Sequence, residues 1–320
     1  QRVTSHLRKK IEARGGDPKR ETLTLLPIKK NNADDDEIYH AVEDGNYWRV
    51  YEFISNARSY EIGEAAATST STSATINDVT REVAATFARF QCDLADLPSP
   101  RLHETIPNFG DTAHRFAQFE EALWVDKHNR ASKCGAEIEF CLRRKADVCI
   151  LMNLLKDGTI PERIVHYDTK INNILIDNET GKGLCVIDLD TVMPGLGIYD
   201  FGDAVRAAAA LATEDETDLS TVGFSMETFE LLTNGYLSVA KEFLCDAELD
   251  HLALAARLVC LTIGLRFLTD YLNGDVYFKV DTDRQDHNLD RARTQLKMTA
   301  DMEERYNEMV GIVEKYRRMI

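Results

Sequence analysis

The sequence is short of basic residues, of paired cysteines and of long apolar runs, and each shortage excludes a class of protein. Lysine and arginine number 38 against 54 acidic residues, which gives a formal net charge of −16. A protein that clamps duplex phosphates needs clustered basic side chains, so this balance argues against nucleic-acid binding. We predict no nucleic-acid partner.

The seven cysteines are scattered and form no C-x-x-C pair. Neither a cysteine zinc site nor a disulfide framework is indicated, and buried free thiols in a reducing compartment are the better interpretation. Inspection finds no uninterrupted run of ~18 apolar residues, the length that would suggest a membrane span. It also finds no start typical of a secretory signal. The sequence therefore predicts a cytoplasmic protein without a membrane partner.

The first part of the chain has the pattern of a small mixed α and β unit. Residues 3–16, "VTSHLRKKIEARGG", predict a helix that ends at paired glycines. A chain that opens within an element leads us to expect further residues upstream in the full protein. The dipeptide Asp44-Gly45 predicts a tight hairpin turn whose second strand covers residues 47–54.

The remainder of the chain is mainly helical in pattern. Residues 65–75, "AAATSTSTSAT", are low in complexity and predict a loop. Asn77-Asp78 are expected to cap the helix that follows. Further helices are predicted at 79–97, 112–127 and 135–158 and through most of 203–320. We predict a division into residues 1–56, a remnant of a small N-terminal lobe, and residues 57–320, a large lobe.

One segment, residues 163–195, combines many polar groups with strand-like sequence: "RIVHYDTKINNILIDNETGKGLCVIDLDTVMPG". Its apolar runs 173–177 and 183–188 predict a hairpin. The start of one antiparallel strand neighbours the end of the other, so Asn173 and Asp188 should meet, with Asp168 just upstream.

An amide oxygen and a carboxylate that converge in this way can bind a hard cation such as magnesium, which takes oxygen ligands and is often shared with phosphates. A second carboxylate nearby can accept a proton from an alcohol that attacks phosphorus. Phosphoryl transfer requires little more, because positioning and charge neutralisation supply most of the catalysis. The alternatives are a surface loop carboxylate for Asp168 and a hairpin cap for Asn173.

The spacing His166-x-Asp168-x-x-x-x-Asn173, with Asp188 at the end of the next strand, resembles the aminoglycoside phosphotransferase and choline kinase superfamily. The longer text "HYDTKINNILID...GLCVIDLDTVMPGLGIYDFGD" is similar to N-acetylhexosamine 1-kinases. This resemblance implies an α+β, protein-kinase-like two-lobed fold with a small mixed N-lobe and a large helical C-lobe. It also implies ATP and Mg²⁺ as cofactors and a small-molecule sugar as partner, phosphorylated at the anomeric hydroxyl of N-acetylglucosamine or N-acetylgalactosamine.

Site roles follow from the same resemblance. Asp168 is implied as the catalytic base, and Asn173 and Asp188 as the metal ligands. Arg266, Tyr277 and Asp190 are implied as substrate contacts. Tyr51, Glu52 and Phe53 are implied as the hinge that contacts adenine, and His166 and Asp200 as structural support of the catalytic loop.

Several of these positions have simpler interpretations. Arg266 could form a structural ion pair with Asp270 one turn later. Tyr277 taken alone would be a core residue, and Asp190 could be structural instead of binding sugar or a metal-bound water. Lys170 is expected to form a local ion pair.

The sequence also departs from the kinase pattern. We find no glycine-rich phosphate loop and no strand lysine of the kinase type, and we expect both upstream of residue 1. Two other functions stay open: a phosphotransferase for another small alcohol, such as an aminoglycoside, choline or a different sugar, and a nucleotide- or sugar-binding pseudokinase. The sequence leaves the preferred acceptor, the oligomeric state and the pathway undetermined.

Overall fold

The computed structural model describes residues 1–28, 38–60 and 75–319. These ranges contain eleven α-helices and seven β-strands. The helices are α1 (Arg2–Ala13), α2 (Ile76–Leu94), α3 (Thr112–Val125), α4 (Gly135–Leu142), α5 (Ile150–Lys156), α6 (Ile198–Ala208), α7 (Met226–Ala240), α8 (Asp246–Asp250), α9 (Leu252–Leu272), α10 (His287–Glu304) and α11 (Tyr306–Arg318). The strands are β1 (Ala41–Glu43), β2 (Asn46–Trp48), β3 (Ala57–Arg58), β4 (Glu162–Val165), β5 (Ile174–Asp177), β6 (Gly183–Val186) and β7 (Met193–Leu196).

The N-terminal hairpin forms at the predicted turn, but its second strand is shorter than predicted. Asp44 and Gly45 have φ angles of 51° and 77°, and β1 and β2 pair on either side of them. β2 ends at Trp48, whereas the prediction extended this strand to residue 54. The extension is wrong because the backbone changes partner: Tyr51 bridges to Leu25 instead of continuing the hairpin ladder.

Two predicted helices have different boundaries in the structure. α2 begins at Ile76, and its N-cap is Thr75, whose hydroxyl accepts from the Asp78 amide while the Asp78 carboxylate accepts from the Thr75 amide. The predicted Asn77-Asp78 cap is therefore wrong, and Asp78 instead completes a capping box. The helix predicted over 135–158 is interrupted between α4 and α5. Of the predicted loop 65–75, all but Thr75 lies outside the described residues.

Two small antiparallel sheets position the polar segment identified in the sequence. β3, β5 and β6 form one sheet in that order, with Ile174 paired to Val186. β4 and β7 form the other, which fixes both ends of the segment. The predicted hairpin is thus present, and the loop before it begins directly at the end of β4. The division at residue 56 stays a prediction.

The larger hydrophobic core surrounds α9, which packs against α3, α6 and α10. A smaller core lies under the β5–β6 hairpin, where Phe87 and Phe90 of α2 meet Leu7 and Ile11 of α1. By length and composition α9 could span a membrane, which the sequence inspection missed. However, 78% of its most apolar window is buried within the protein, as expected for a core helix.

Candidate active site

The loop that carries Asp168 is held by a buried carboxylate at the start of α6. Asp200 is 1% exposed and accepts hydrogen bonds from the His166 amide at 2.8 Å, the Tyr167 amide at 2.8 Å and Gln91 Nε2 at 2.7 Å. Burial raises the pKa of Asp200 to about 6, while the charge of His166 and these donors act in the opposite direction. Tyr167 has a φ of 65°, so the chain turns sharply just before Asp168.

His166 connects this loop to the end of the hairpin. Its ring is fully buried, and Nε2 lies 2.9 Å from the carbonyl oxygen of Ile187. Its other ring nitrogen accepts from the Asp168 amide at 3.3 Å. Phe87 and Phe90 contact the ring edge-on. The imidazole therefore fixes the loop and the strand end relative to each other, which is the supporting geometry that its predicted role requires.

Asp168 and Asn173 are in direct contact. Asn173 Nδ2 donates to the Asp168 carboxylate at 3.0 Å and to its carbonyl oxygen at 2.8 Å. The second carboxylate oxygen of Asp168 lies 2.9 Å from Lys170 Nζ, which is the local ion pair expected for that lysine. Because Asp168 uses the amide nitrogen, the amide oxygen of Asn173 is the atom left to coordinate a cation.

Asp188 follows β6 at the same end of the hairpin as Asn173. The amide of Ile187 donates to the carbonyl of Asn173 at 2.9 Å, and Asp188 adopts the left-handed conformation with φ 56°. Among the described residues, no ion pair engages the Asp188 carboxylate, and no cluster of three His, Cys, Asp or Glu side chains could hold a metal alone. Two oxygen donors nevertheless fit Mg²⁺, which commonly takes one or two protein ligands and completes its shell with phosphate and water.

The predicted hinge residues lie beside this group. Residues 50–52 pair with residues 24–26, and Tyr51 is partly buried. Burial raises the pKa of Tyr51. The nearby charge of Arg49 lowers this pKa, and the nearby Asp188 carboxylate raises it. Phe53 is 87% exposed and Glu52 is exposed as well. Tyr51 is thus partly buried near Asp188, while Glu52 and Phe53 present open side chains.

Asp190 does not line the cavity described below. Its carboxylate forms an ion pair with Arg49, and its backbone carbonyl accepts from the Thr105 hydroxyl at 3.2 Å. The structure thus favours the structural alternative for this residue, and its contact with a substrate stays a prediction.

A cavity of about 460 Å³ opens beside Asp168 and reaches α9. Arg266 and Tyr277 both line it, together with Tyr167 and Phe109. The Arg266 guanidinium lies 5.0 Å from the centroid of the Phe109 ring and 5.7 Å from that of Tyr277. The sequence-predicted base and the two predicted sugar contacts therefore face one space. We call it the acceptor cavity.

The alternative ion pair between Arg266 and Asp270 does not form. Asp270 instead accepts from the amides of Val276, Tyr277 and Phe278 at 2.9–3.0 Å, and from Asn288 Nδ2 at 2.9 Å. Its role is to hold the loop after α9, which places Tyr277 next to Arg266. Tyr277 is 63% exposed, which contradicts the alternative interpretation as a core residue, and its contact with a substrate stays a prediction.

Sequence reasoning missed several residues that shape this site. Asp203 accepts from the Thr169 amide at 2.8 Å and from Arg206 Nε at 2.8 Å, and so provides a second anchor for the loop that carries Asp168. The Tyr167 ring packs so tightly on Gly195 that a β-carbon there would collide with its hydroxyl. An acidic pair three residues apart at a helix start was a signal for Asp203. No local pattern marked Gly195.

Comparison with known proteins agrees with this geometry. The phosphotransferase enzyme family, APH, matches residues 39–227, which is more than half of the chain. The chain belongs to this family. As a family member it is a phosphotransferase, and the matched range includes the loop of Asp168, the hairpin and the start of α6.

Solved structures also resemble this family member over nearly its whole length. A microcompartment-associated aminopropanol kinase aligns with a TM-score of 0.52 at 16% identity, covering 97% of this chain and 83% of that one. The amicoumacin kinase hAmiN aligns with a TM-score of 0.51 at 12% identity, covering 92% and 76%. At this identity the likeness concerns the fold alone, and it confirms the predicted two-lobed, kinase-like α+β architecture.

Proposed function

We propose that this phosphotransferase transfers the γ-phosphoryl group of ATP to the anomeric hydroxyl of an N-acetylhexosamine. The observation that carries the proposal is that Asp168 and Arg266 line one cavity, while Asp168 is hydrogen-bonded to Asn173 and Asp188 follows Ile187 at the same end of the hairpin. These are the same residues that the resemblance to hexosamine 1-kinases singles out.

Each side chain has a stated task in this mechanism. Asp168 accepts the proton of the acceptor hydroxyl as the oxygen attacks phosphorus. Its hydrogen bond to Asn173 and its ion pair with Lys170 fix the orientation of its two oxygens before substrate binds. Such pre-positioning accounts for much of the catalysis of phosphoryl transfer.

Asn173 and Asp188 would hold the divalent cation, which neutralises charge on the nucleotide phosphates when bound. The structure of hAmiN was solved with AMP-PNP and Ca²⁺, a nucleotide analogue and a divalent cation. For the present chain we propose ATP and Mg²⁺, with Tyr51, Glu52 and Phe53 on the adenine side.

On the acceptor side, Arg266 donates to sugar oxygens and Tyr277 contacts the sugar ring. A polycationic aminoglycoside or an acceptor of the choline or ethanolamine type would place positive charge against Arg266, so the cavity disfavours these alternatives. A different neutral sugar is the main competitor within the same chemistry.

The test is product analysis of the full-length protein with ATP, Mg²⁺ and a panel of acceptors. The panel contains N-acetylglucosamine, N-acetylgalactosamine, glucose, kanamycin and choline. Loss of the reducing end together with a new phosphate signal in nuclear magnetic resonance identifies phosphorylation at the anomeric position. Phosphorylation of another hydroxyl or of a cationic acceptor overturns the proposal, as does nucleotide binding without transfer to any acceptor.

A further inference from the structure

Two arginines meet where the acceptor cavity adjoins a second one. The second cavity has a volume of about 470 Å³ and shares Arg266, Tyr277 and Phe278 with the first. Arg115, on the first turn of α3, also lines it. Both guanidinium groups lie near the Phe109 ring, at 6.0 Å for Arg115 and 5.0 Å for Arg266.

Neither guanidinium has a carboxylate partner among the described residues. Arg115 donates to Gln118 Oε1 at 2.9 Å and weakly to the carbonyl of Phe109 at 3.4 Å, both neutral acceptors. Arg266 is surrounded by the aromatic rings of Phe109, Tyr277 and Phe278 at 5.0–5.7 Å. Cation–π contacts of this kind stabilise a guanidinium without neutralising its charge.

Several other arginines that are buried or partly buried are neutralised. Arg163 donates to Glu248 at 2.6 Å, Arg206 to Asp203 at 2.8 Å and Arg257 to Asp147 at 2.7 Å. An acidic chain with 54 carboxylates has many groups that could pair with two more arginines. The border between the two cavities is distinctive because two arginines without a carboxylate partner in the described structure lie beside the same ring, that of Phe109.

The electrostatics of the pair favour an anion. Burial lowers the pKa of Arg266, and the neighbouring Arg115 lowers it further; burial also lowers the pKa of Arg115. Two like charges that are partly removed from water raise each other's energy, and an anion placed between them would relieve this cost.

The acidic side chains around the second cavity do not supply an anion between Arg115 and Arg266. Asp270 is satisfied by three backbone amides and Asn288, and Glu121 is exposed. Asp111 exerts an attraction on Arg115, but its carboxylate accepts from the His114 amide at the start of α3.

We propose that Arg115 and Arg266 form an anion-binding subsite that receives a carboxylate, sulfate or phosphate substituent of the acceptor. The hydroxyl to be phosphorylated lies at Asp168, at the other end of the acceptor cavity. The substrate class is then an acidic sugar derivative, which deepens the proposed function and rests on it. The planar forks of two arginines match the planar or tetrahedral oxygens of such groups.

The test measures acceptor binding by calorimetry in the absence of ATP. The ligands are N-acetylglucosamine, its 6-sulfate, its 6-phosphate and its 6-carboxylate, with glucosamine as the cationic member. We expect at least one anionic derivative to bind about tenfold or more tightly than the neutral parent, because hydrogen bonds to charged groups are stronger than neutral ones. The three derivatives distinguish which anion the subsite takes.

Variants then assign the preference to the two arginines. Arg115→Gln and Arg266→Gln are each expected to remove most of the anionic preference, and Arg115→Lys to retain part of it. Arg143→Gln is the control, because Arg143 is exposed and pairs only with Glu139 in the described residues. Thermal melting of each variant establishes whether it is folded. If Arg115→Gln is not folded, the anionic preference is measured with Arg115→Lys instead.

The outcomes separate the subsite from the proposed function. Equal affinity for neutral and anionic ligands, or a preference that survives both glutamine variants, overturns the subsite even if neutral hexosamines are phosphorylated. An anionic preference without phosphorylation of any acceptor overturns the proposed function and leaves the subsite standing. Asp168→Asn should keep the binding preference, because it removes the proposed base and neither arginine.

Discussion

The two ends of the acceptor cavity are stabilised in opposite ways. At the catalytic end, Asp168 and Asn173 bond to each other, and Asp200 fixes the loop that carries Asp168. At the other end, Arg266 and Arg115 are half-buried cations that rest on aromatic rings and have no anionic partner among the described residues. At the first end, Asp168 and its loop are fixed by hydrogen bonds before substrate binds, whereas the arginine end still requires charge compensation.

This difference indicates how the site divides its work. A hydrogen-bonded network that is satisfied without ligand keeps reacting groups in place and so contributes to the rate. Charges left without partners gain most when a ligand arrives, so they contribute to affinity and selectivity. We therefore expect substitutions at the catalytic end to change kcat and those at the arginine end to change KM.

The largest effect is expected for Asp168→Asn. Loss of the proton acceptor should lower kcat by about 10²–10⁴-fold, with acceptor affinity nearly unchanged. Steady-state kinetics with calorimetric acceptor binding measure both quantities. Asp283→Asn, at an exposed position, is the matched control. If Asp168→Asn raised the KM for the acceptor and left kcat unchanged, the proposed division of effects between the two ends of the cavity would be contradicted.

The next largest effect is expected for Asp188→Asn, which should weaken cation binding. Replacement of one of two protein oxygen ligands is expected to raise the Mg²⁺ concentration for half-maximal activity by about tenfold or more. A Mg²⁺ titration at saturating acceptor measures this shift. Since Asp188 lies at the catalytic end, the preference among acceptors should not change, and a changed preference would break the comparison between the two ends.

Gly195→Ala tests the residue that joins the two ends. Tyr167 has its backbone held by Asp200, and its ring lines the acceptor cavity against Gly195. The new methyl group should lower the free energy of unfolding by about 1–3 kcal/mol through overpacking. Urea denaturation measures the loss.

Tyr167→Phe removes the hydroxyl that the added methyl group would meet first, so the double variant should recover part of this loss in a double-mutant cycle. Gly311→Ala has no neighbour within 4 Å and lies in α11, so it should be neutral or stabilising. If the losses in free energy of unfolding from Gly195→Ala and Tyr167→Phe were additive, the added methyl group would not be displacing the Tyr167 hydroxyl.

The smallest effect concerns pH. The pKa of Asp200 is about 6 in the folded protein, above its usual value near 4 when unfolded. Between pH 4 and pH 6 the folded state keeps a proton on Asp200 that the unfolded state has released. The resulting contribution to the free energy of unfolding is therefore present below pH 4 and is lost as the pH rises through 6. Over this range the free energy of unfolding of the wild-type protein should fall by on the order of 2 kcal/mol relative to that of Asp200→Asn. If the free energies of unfolding of the two proteins changed in parallel with pH, the raised pKa of Asp200 would be contradicted.

The grouping of Asp168, Asn173 and Asp188 could be predicted from sequence because these residues are close together in the chain. A hairpin of two apolar runs requires Asn173 and Asp188 to meet, and local spacing places Asp168 beside them. Arg115 and Arg266 are brought together by the packing of α3 on α9, over a separation that no local pattern encodes. The N-cap of α2 was mispredicted because Asn77 and Asp78 are both common capping residues, whereas in the structure Thr75 caps the helix and Asp78 completes the capping box.

The position of Arg266 on α9 has a consequence for the evolution of this enzyme. α9 is enclosed by three other helices, so its backbone cannot move without disturbing the main hydrophobic core. Under the proposed role of Arg266, a lineage that acquires a new substrate exchanges side chains along this helix instead of reshaping it. Among related chains, the residue at this position should vary with substrate while the helix itself keeps its length.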